Sequence, residues 1–300
     1  MQTTSHLLMI RPVNFGFNPE TAVNNSFQVE GTDKRVQEKA LLEFDQFVSL
    51  LTQYNIDVTV IQDTLEPNTP DSIFPNNWIS FHKGGVICLY PMFALNRRKE
   101  RKTPLIAAIR KKFRITSTVD FTQYEDHDRF LEGTGSMVLD RRFKIAYACL
   151  SPRTSIEVLD KFCDTMKFLP VAFHAFDEKG NPIYHTNVMM SVAEQYVIIC
   201  LSSITDAKQK QQVKSAIKMT GKKTIAITME QMKHFAGNML QVTNKNGEYI
   251  LIMSSQAFRS LTPSQIKTLE KYNAILHSPL DSIETSGGGS ARCMIAEVFT

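Results

Sequence analysis

The chemistry this chain could perform is concentrated in a few polar residues that stand next to apolar runs. The C-terminal segment SGGGSARCMIAEVF (286–299) sets Cys293 behind Gly287, Gly288 and Gly289 and beside Arg292. Glycines let a backbone approach another group closely or take a positive φ, and a neighbouring guanidinium favours thiolate over thiol. A cysteine ahead of an apolar run is equally suited to the core. Taken alone, the segment leaves both a structural thiol and a nucleophile open. His185 stands two residues ahead of Asn187, and Glu132 three ahead of Gly135, each upstream of a further apolar run. Singly, such residues are a core histidine, a turn asparagine and a loop-capping glutamate. Brought together with a thiol, an imidazole and a carboxylate permit nucleophilic displacement with proton transfer.

An internal repeat is what would bring them together. The segments NNWISFHKGGVICLYPMF from Asn76, GSMVLDRRFKIAYACLSP from Gly135, NVMMSVAEQYVIICLSSI from Asn187 and NMLQVTNKNGEYILIMSS from Asn238 superimpose. Each reads as a short apolar strand, a polar turn and a second apolar strand, the pattern of a hairpin. A polar, amphipathic stretch follows each: PRTSIEVLDKFCDTM, TDAKQKQQVKSAIKM and TPSQIKTLEKY (262–272), the last with Thr262 as N-cap and Pro263 in the first turn. Another short strand comes next, such as KTIAI (223–227) or AILHS (274–278). First strands are predicted to begin at Trp78, Ser136, Val188, Met239 and Met294, a spacing of about fifty to sixty residues that marks a repeat architecture. The fifth unit runs off the C-terminus. It is completed by the N-terminal strand SHLLMIRPV and the helix 34–54, whose apolar residues follow i, i+3, i+4 spacing. Five strand–strand–helix–strand units closing on themselves gather Asn77, Gly135, Asn187, Asn238 and Cys293 at one end.

Bulk properties restrict the alternatives. With 300 residues and 43% apolar content the chain can bury a large core, and no linker divides it. A net charge of +4 is too small to imply a nucleic-acid partner. The basic clusters RRKERK (97–102) and RKKFR (110–114) lack interleaved aromatics and read as solvated faces. The five cysteines show no metal-ligand spacing. No signal peptide is visible, and no apolar run approaches the roughly 18 residues of a membrane span. A reducing cytoplasm is therefore the expected compartment.

The segments FPNNW (74–78), FLEGTGSMVLD (130–140), YHTNVMMS (184–191) and GGGSARCM (287–294) resemble, in order and repeat position, the four signature segments of the guanidino-group-modifying (amidinotransferase/arginine deiminase) superfamily. The resemblance spans essentially the whole chain and is strongest to the citrulline-utilisation hydrolases. It implies an α/β pentein fold, a five-bladed ββαβ propeller with pseudo-fivefold symmetry, as one domain over 1–300. It also implies Cys293 as nucleophile, His185 as general acid/base, Glu132 as a substrate-positioning carboxylate and Phe74 as an aromatic on the planar substrate head. An arginine after the second hairpin strand, Arg97 or Arg98 in ALNRRKER, would hold the substrate carboxylate. Asn24 or Asn25 in TAVNNSFQV (21–29) either lines the mouth or is plain loop.

The departure from arginine deiminases concerns charge. Where those enzymes carry one aspartate at the end of FPNN and another two residues after the histidine, this chain has Asn77 and Asn187. An unpaired buried guanidinium is costly, whereas an amide suits a neutral ureido group. The expected reaction is hydrolysis of the ureido C–N bond of citrulline or a close relative, giving ornithine, ammonia and CO2 through a Cys293 adduct. The alternatives are an arginine deiminase or dihydrolase of the same superfamily, or a non-catalytic pentein binding protein. The resemblance implies no metal or organic cofactor. The expected partner is a small ureido or guanidino amino acid, with no nucleic acid and no membrane, and a homo-oligomer is compatible. Without a cationic substrate the Cys293 thiolate needs support, which is expected from charged His185 or from Arg292.

Overall fold

In a computed structural model, which describes residues 1–31 and 35–299, fifteen strands form five three-stranded sheets. The strands are β1 (His6–Arg11), β2 (Asp57–Gln62), β3 (Ile79–His82), β4 (Val86–Leu89), β5 (Ser117–Asp120), β6 (Val138–Asp140), β7 (Ile145–Cys149) and β8 (Leu169–Phe173). They continue with β9 (Met190–Val192), β10 (Tyr196–Ile199), β11 (Lys223–Ala226), β12 (Leu240–Thr243), β13 (Tyr249–Ser254), β14 (Ala274–Ser278) and β15 (Ala296–Glu297). The sheets are β3–β4–β5, β6–β7–β8, β9–β10–β11, β12–β13–β14 and β15–β1–β2. In each, the middle strand runs antiparallel to the first and parallel to the third. Parallel pairing demands a crossover, and helices Thr103–Lys112, Ile156–Met166, Ala207–Met219 and Pro263–Leu269 supply it in four units. Asp206 Oδ1 caps one of them through Gln209 N at 2.8 Å, and Thr262 forms a capping box with Gln265 in another.

The fifth sheet joins the two ends of the chain. Leu7 and Leu8 of β1 pair with Glu297 and Ala296 of β15, and the helix Val36–Gln53 connects β1 to β2. The predicted start of that helix at Lys34 lies outside the described residues. Its buried face is Ala40, Phe44, Phe47 and Leu51, the apolar stripe of an amphipathic helix. Each such buried Leu or Phe stabilises the fold by about 2 kcal/mol. Apolar clusters straddle neighbouring sheets. Leu8 and Ile10 pack with Ile79 and Phe81, Cys88 and Tyr90 with Met137 and Leu139, and Tyr147 with Val188 and Ile198. Val242 and Ile252 pack with Leu7, Met9 and Phe44.

Two sequence expectations are corrected. First strands begin one or two residues later than predicted, because short helical turns precede three of them: Pro75–Asn77, Gly133–Ser136 and Thr186–Met189. In these turns the backbone is satisfied locally, as Ser136 N is on Glu132 O at 3.1 Å. The cluster 97–102 is not a solvated face throughout. Arg97 and Lys102 are buried, Lys102 Nζ bonding Asp63 Oδ1 at 2.8 Å. Glu100 and Asp71 neutralise Arg97 and Asp63 neutralises Lys102, which is how part of a basic run becomes interior. Among the described residues no helix is long and apolar enough to cross a membrane.

Candidate active site

Cys293 lies in the turn 291–294, its N–H donating to Ser290 O at 2.9 Å, and is 3% exposed. The preceding helix, Asp281–Gly287, ends at Gly288 in the left-handed region, φ +64°, a C-cap that glycine adopts without strain. Gly289 is required for a different reason. A Cβ there would stand 2.8 Å from Phe74 Cε1 and 3.2 Å from Cys293 Cβ. The glycine run therefore lets the Phe74 ring lie beside the thiol. Tyr184 Oη donates to Gly288 O at 2.8 Å, and Asn25 Nδ2 to the same oxygen at 3.4 Å, fixing the loop from two further segments.

Cys293, His185, Phe74, Asn77 and Arg97 line one cavity of about 10 Å³, together with Arg153. His185 and Glu132 are adjacent: His185 Nε2 stands 2.7 Å from Glu132 Oε2, both side chains being buried. Burial alone would raise the Glu132 pKa, but the Arg153 charge, the His185 contact and the Arg97 charge outweigh it and hold the carboxyl well down. An ionised carboxylate only accepts, so Nε2 carries the proton and, in the neutral ring, Nδ1 the lone pair. Burial lowers the His185 pKa; Glu132 opposes this, and the Arg153 and Arg97 charges add to it. His185 is thus a neutral imidazole at neutral pH. The charged form expected to support the thiolate is not the resting state.

Arg292 does not support it either. Its Nη1 donates to Ile295 O at 2.8 Å and its Nη2 to Glu297 Oε2 at 2.9 Å. The sulfur instead accepts from two amides, Asn238 Nδ2 at 3.2 Å and Asn187 Nδ2 at 3.6 Å. Asn187, expected on the substrate head, therefore stands against the sulfur and lines a separate small cavity with Thr134 and Arg292. Asn77 does line the main cavity. Its Oδ1 accepts from Arg97 Nη1 at 2.7 Å, and its buried Nδ2 has no hydrogen-bond partner. Gly135 makes this proximity possible, since a Cβ there would lie 2.3 Å from Asn77 Nδ2 and 2.8 Å from His185 Nδ1.

Of the two candidate arginines, Arg97 is in the cavity wall and Arg98 is not. Arg97 is held by Glu100 through Nε at 2.8 Å and Nη2 at 3.0 Å, and by Phe74 O at 3.2 Å. Burial opposes its charge, but Glu100 and Asp71 outweigh that and raise its pKa. Arg98 donates to Met92 O at 2.9 Å and lies over the Phe130 ring. Sequence reading found no sign of Arg153 or Asp71, and it placed Asn238 at the shared end without assigning it a role. Arg153 follows the second hairpin strand of its unit, as Arg97 does of its own, but at a different distance, so the repeat register did not single it out. It donates to Asn24 Oδ1 at 2.7 Å and Thr21 O at 2.6 Å, and its Nη1 lies 3.6 Å from Glu132 Oε2. Asp71 accepts from Asn18 Nδ2 at 2.7 Å through Oδ2, while its buried Oδ1 has no partner. No local pattern marks it.

A larger concavity, about 400 Å³, lies on the other side of Tyr184, lined by Phe27, Met232, Phe235 and Glu284. It holds neither the thiol nor the imidazole, so its size does not make it the reactive centre. The segment that contributes Thr21 and Asn25 to the Cys293 cavity is held by the Arg153 bonds to Thr21 and Asn24 and by Gln28 Nε2 on Ser286 O at 2.9 Å. Among the described residues no group of three or more His, Cys, Asp or Glu side chains is placed to hold a metal ion.

A buried thiol beside an imidazole–carboxylate pair, mounted on repeated strand–strand–helix–strand units, defines a guanidino-modifying hydrolase of the pentein superfamily. Within that class the chain belongs to the family described as N,N dimethylarginine dimethylhydrolase, eukaryotic, whose model matches residues 11–300. It is a hydrolase acting on C–N bonds. No curated protein matches the chain. Solved structures share its fold. The substrate-bound N-terminal domain of ArgZ, an arginine dihydrolase from the ornithine-ammonia cycle in cyanobacteria, has a TM-score of 0.77 at 18% identity, covering 98% of each chain. Against the longer apo ArgZ the TM-score and identity are the same, but the match covers 98% of this chain and 40% of that one. A dimethylarginine dimethylaminohydrolase adduct with S-methyl-L-thiocitrulline has a TM-score of 0.65 at 14% identity, covering 98% and 99%.

Proposed function

We propose that the protein hydrolyses the ureido C–N bond of citrulline or a close relative, within a single five-bladed pentein domain over 1–300. The observation that carries this reading is the direction of the Asn77 amide. Arg97 occupies Oδ1, so the group of this cavity-lining residue left to pair with a substrate is the unpartnered Nδ2, which lies over Gly135. A guanidinium has only donors and would meet a donor there. A ureido oxygen accepts, and completes the pairing.

Cys293 forms the C–S bond with its lone pair while the carbonyl pair moves onto the ureido oxygen, against Asn77 Nδ2. That pair then re-forms C=O as the C–NH2 bond breaks. The proton released when the thiol ionised returns through His185 to the leaving nitrogen, which departs as ammonia. Water then attacks the thiocarbamate with His185 Nδ1 as base and expels the thiolate. The carbamate so formed breaks down to ornithine and CO2. Glu132 fixes the imidazole tautomer from Nε2. Phe74 stacks on the planar head, Asp71 Oδ1 supplies the acceptor for an α-ammonium, and Arg97 and Arg153 supply charge for the α-carboxylate.

The family description favours a second reading, a guanidino substrate such as arginine or a methylated arginine. A panel of citrulline, arginine and dimethylarginine, with end-point ornithine, citrulline and ammonia measured for wild type and Cys293→Ser, separates the two. Ornithine from citrulline alone is expected. Ornithine from arginine with two ammonia per turnover establishes a dihydrolase, and citrulline as the final product overturns both hydrolyses to ornithine.

A further inference from the structure

This inference rests on the reading of Cys293 as nucleophile and concerns what holds its charge. Of the two amides on the sulfur, that of Asn238 is oriented by its neighbours. Asn238 Oδ1 accepts the Arg292 backbone N–H at 3.0 Å, and Nδ2 also donates to Asn187 O at 3.0 Å. The nitrogen, not the oxygen, must therefore stand on the sulfur. Asn238 is 1% exposed, and Gly237 beside it admits no side chain, since a Cβ there would lie 2.2 Å from Val188 O. The amide is thus clamped in place before any substrate arrives. The guanidinium groups and the imidazole around the sulfur have other partners: Arg292 with Glu297, His185 and Arg153 with Glu132, Arg97 with Glu100 and Asp71. The Tyr184 hydroxyl is committed to Gly288 O.

We propose that Asn238, acting with Asn187, is a catalytic residue whose amide N–H carries the charge of the Cys293 thiolate, in place of a histidinium or a cationic substrate. A hydrogen bond to an ionised acceptor is about twice as strong as a neutral one, so the clamped Asn238 amide, with Asn187 beside it, prepares the nucleophile for a neutral head group. Asn238→Asp tests this. The variant keeps the shape and the acceptor for Arg292 N–H, but turns a charged oxygen onto the sulfur. The free enzyme's ultraviolet thiolate absorbance is titrated against pH as the difference between each protein and its Cys293→Ser counterpart. The thiolate fraction at neutral pH is expected to fall about tenfold in Asn238→Asp, with the curve displaced to higher pH. Its kcat/KM is expected to fall further for a ureido than for a guanidino substrate, a split that a merely structural loss would not produce. A titration curve superimposable on that of wild type overturns the proposal. If Asn238→Asp does not fold, Asn238→Ala, which lacks the donor and the charge, is read by the same criteria. A displaced curve in a protein whose wild type turns over no ureido or guanidino compound keeps the amide pair and removes the substrate reading.

Discussion

Asn77→Asp is the substitution that most directly challenges the reading of the head-group site. Arg97 Nη1 stands 2.7 Å from Oδ1, so the Arg97 contact survives the change and the second carboxylate oxygen replaces the unpartnered Nδ2. For a ureido head the variant sets acceptor against acceptor. A forgone hydrogen bond together with a buried oxygen left unpaired costs about 2–4 kcal/mol, or about thirtyfold to a thousandfold in kcat/KM. For a guanidinium the same oxygen adds a charge-assisted bond. Arg97 and its buried surroundings already neutralise much of that charge, so the gain is at the lower end, about 1.5 kcal/mol or roughly tenfold. The ratio of kcat/KM for citrulline to that for arginine is therefore expected to fall by at least about a hundredfold, most of it from the ureido side. Steady-state ammonia release with each substrate, on enzyme whose folding is verified by circular dichroism, measures it. A ratio that moves by less than about threefold, or moves towards citrulline, refutes the orientation argument.

Gly135→Ala is expected to reduce kcat/KM at least about a hundredfold with only a modest fall in Tm, because the added methyl would stand 2.3 Å from Asn77 Nδ2 and 2.8 Å from His185 Nδ1. Near-wild-type turnover in this variant means that neither group needs its present position. Glu284→Gln tests a pH dependence of stability. Burial raises the Glu284 carboxyl from 4.5 to about 7, against the hydrogen bonds of Ser254 and Ser290. The folded state binds that proton more tightly than the unfolded chain, so the contribution is full below the unfolded value and is lost as pH rises through the folded one, by up to about 3 kcal/mol. Calorimetry from pH 4.5 to 8 is expected to show the variant gaining stability relative to wild type, and parallel Tm curves contradict the assignment.

The repeat was legible because a hairpin-plus-helix unit imposes its pattern on a contiguous stretch. Thr262 and Pro263 begin the helix Pro263–Leu269 as predicted, and AILHS (274–278) is β14. The glycines ahead of Cys293 were legible for a related reason, since close approach leaves glycine as the residue that fits. Register then gathered Phe74, Asn77, Arg97, His185 and Cys293 at one cavity, with Glu132 behind the imidazole. Which way each side chain faces was not written in that pattern. Asn187 and Asn238 turn to the sulfur, Arg292 turns to Glu297, and His185 rests neutral. Asp71 enters the site with no motif of its own. Such choices depend on hydrogen-bond competition and desolvation among residues from separate units. The sequence alone determined the units, their order and the residue types at their ends. Only the tertiary structure decided partners and protonation, because those are set by distances of a few ångströms between groups more than a hundred residues apart, as Asn187 and Cys293 are.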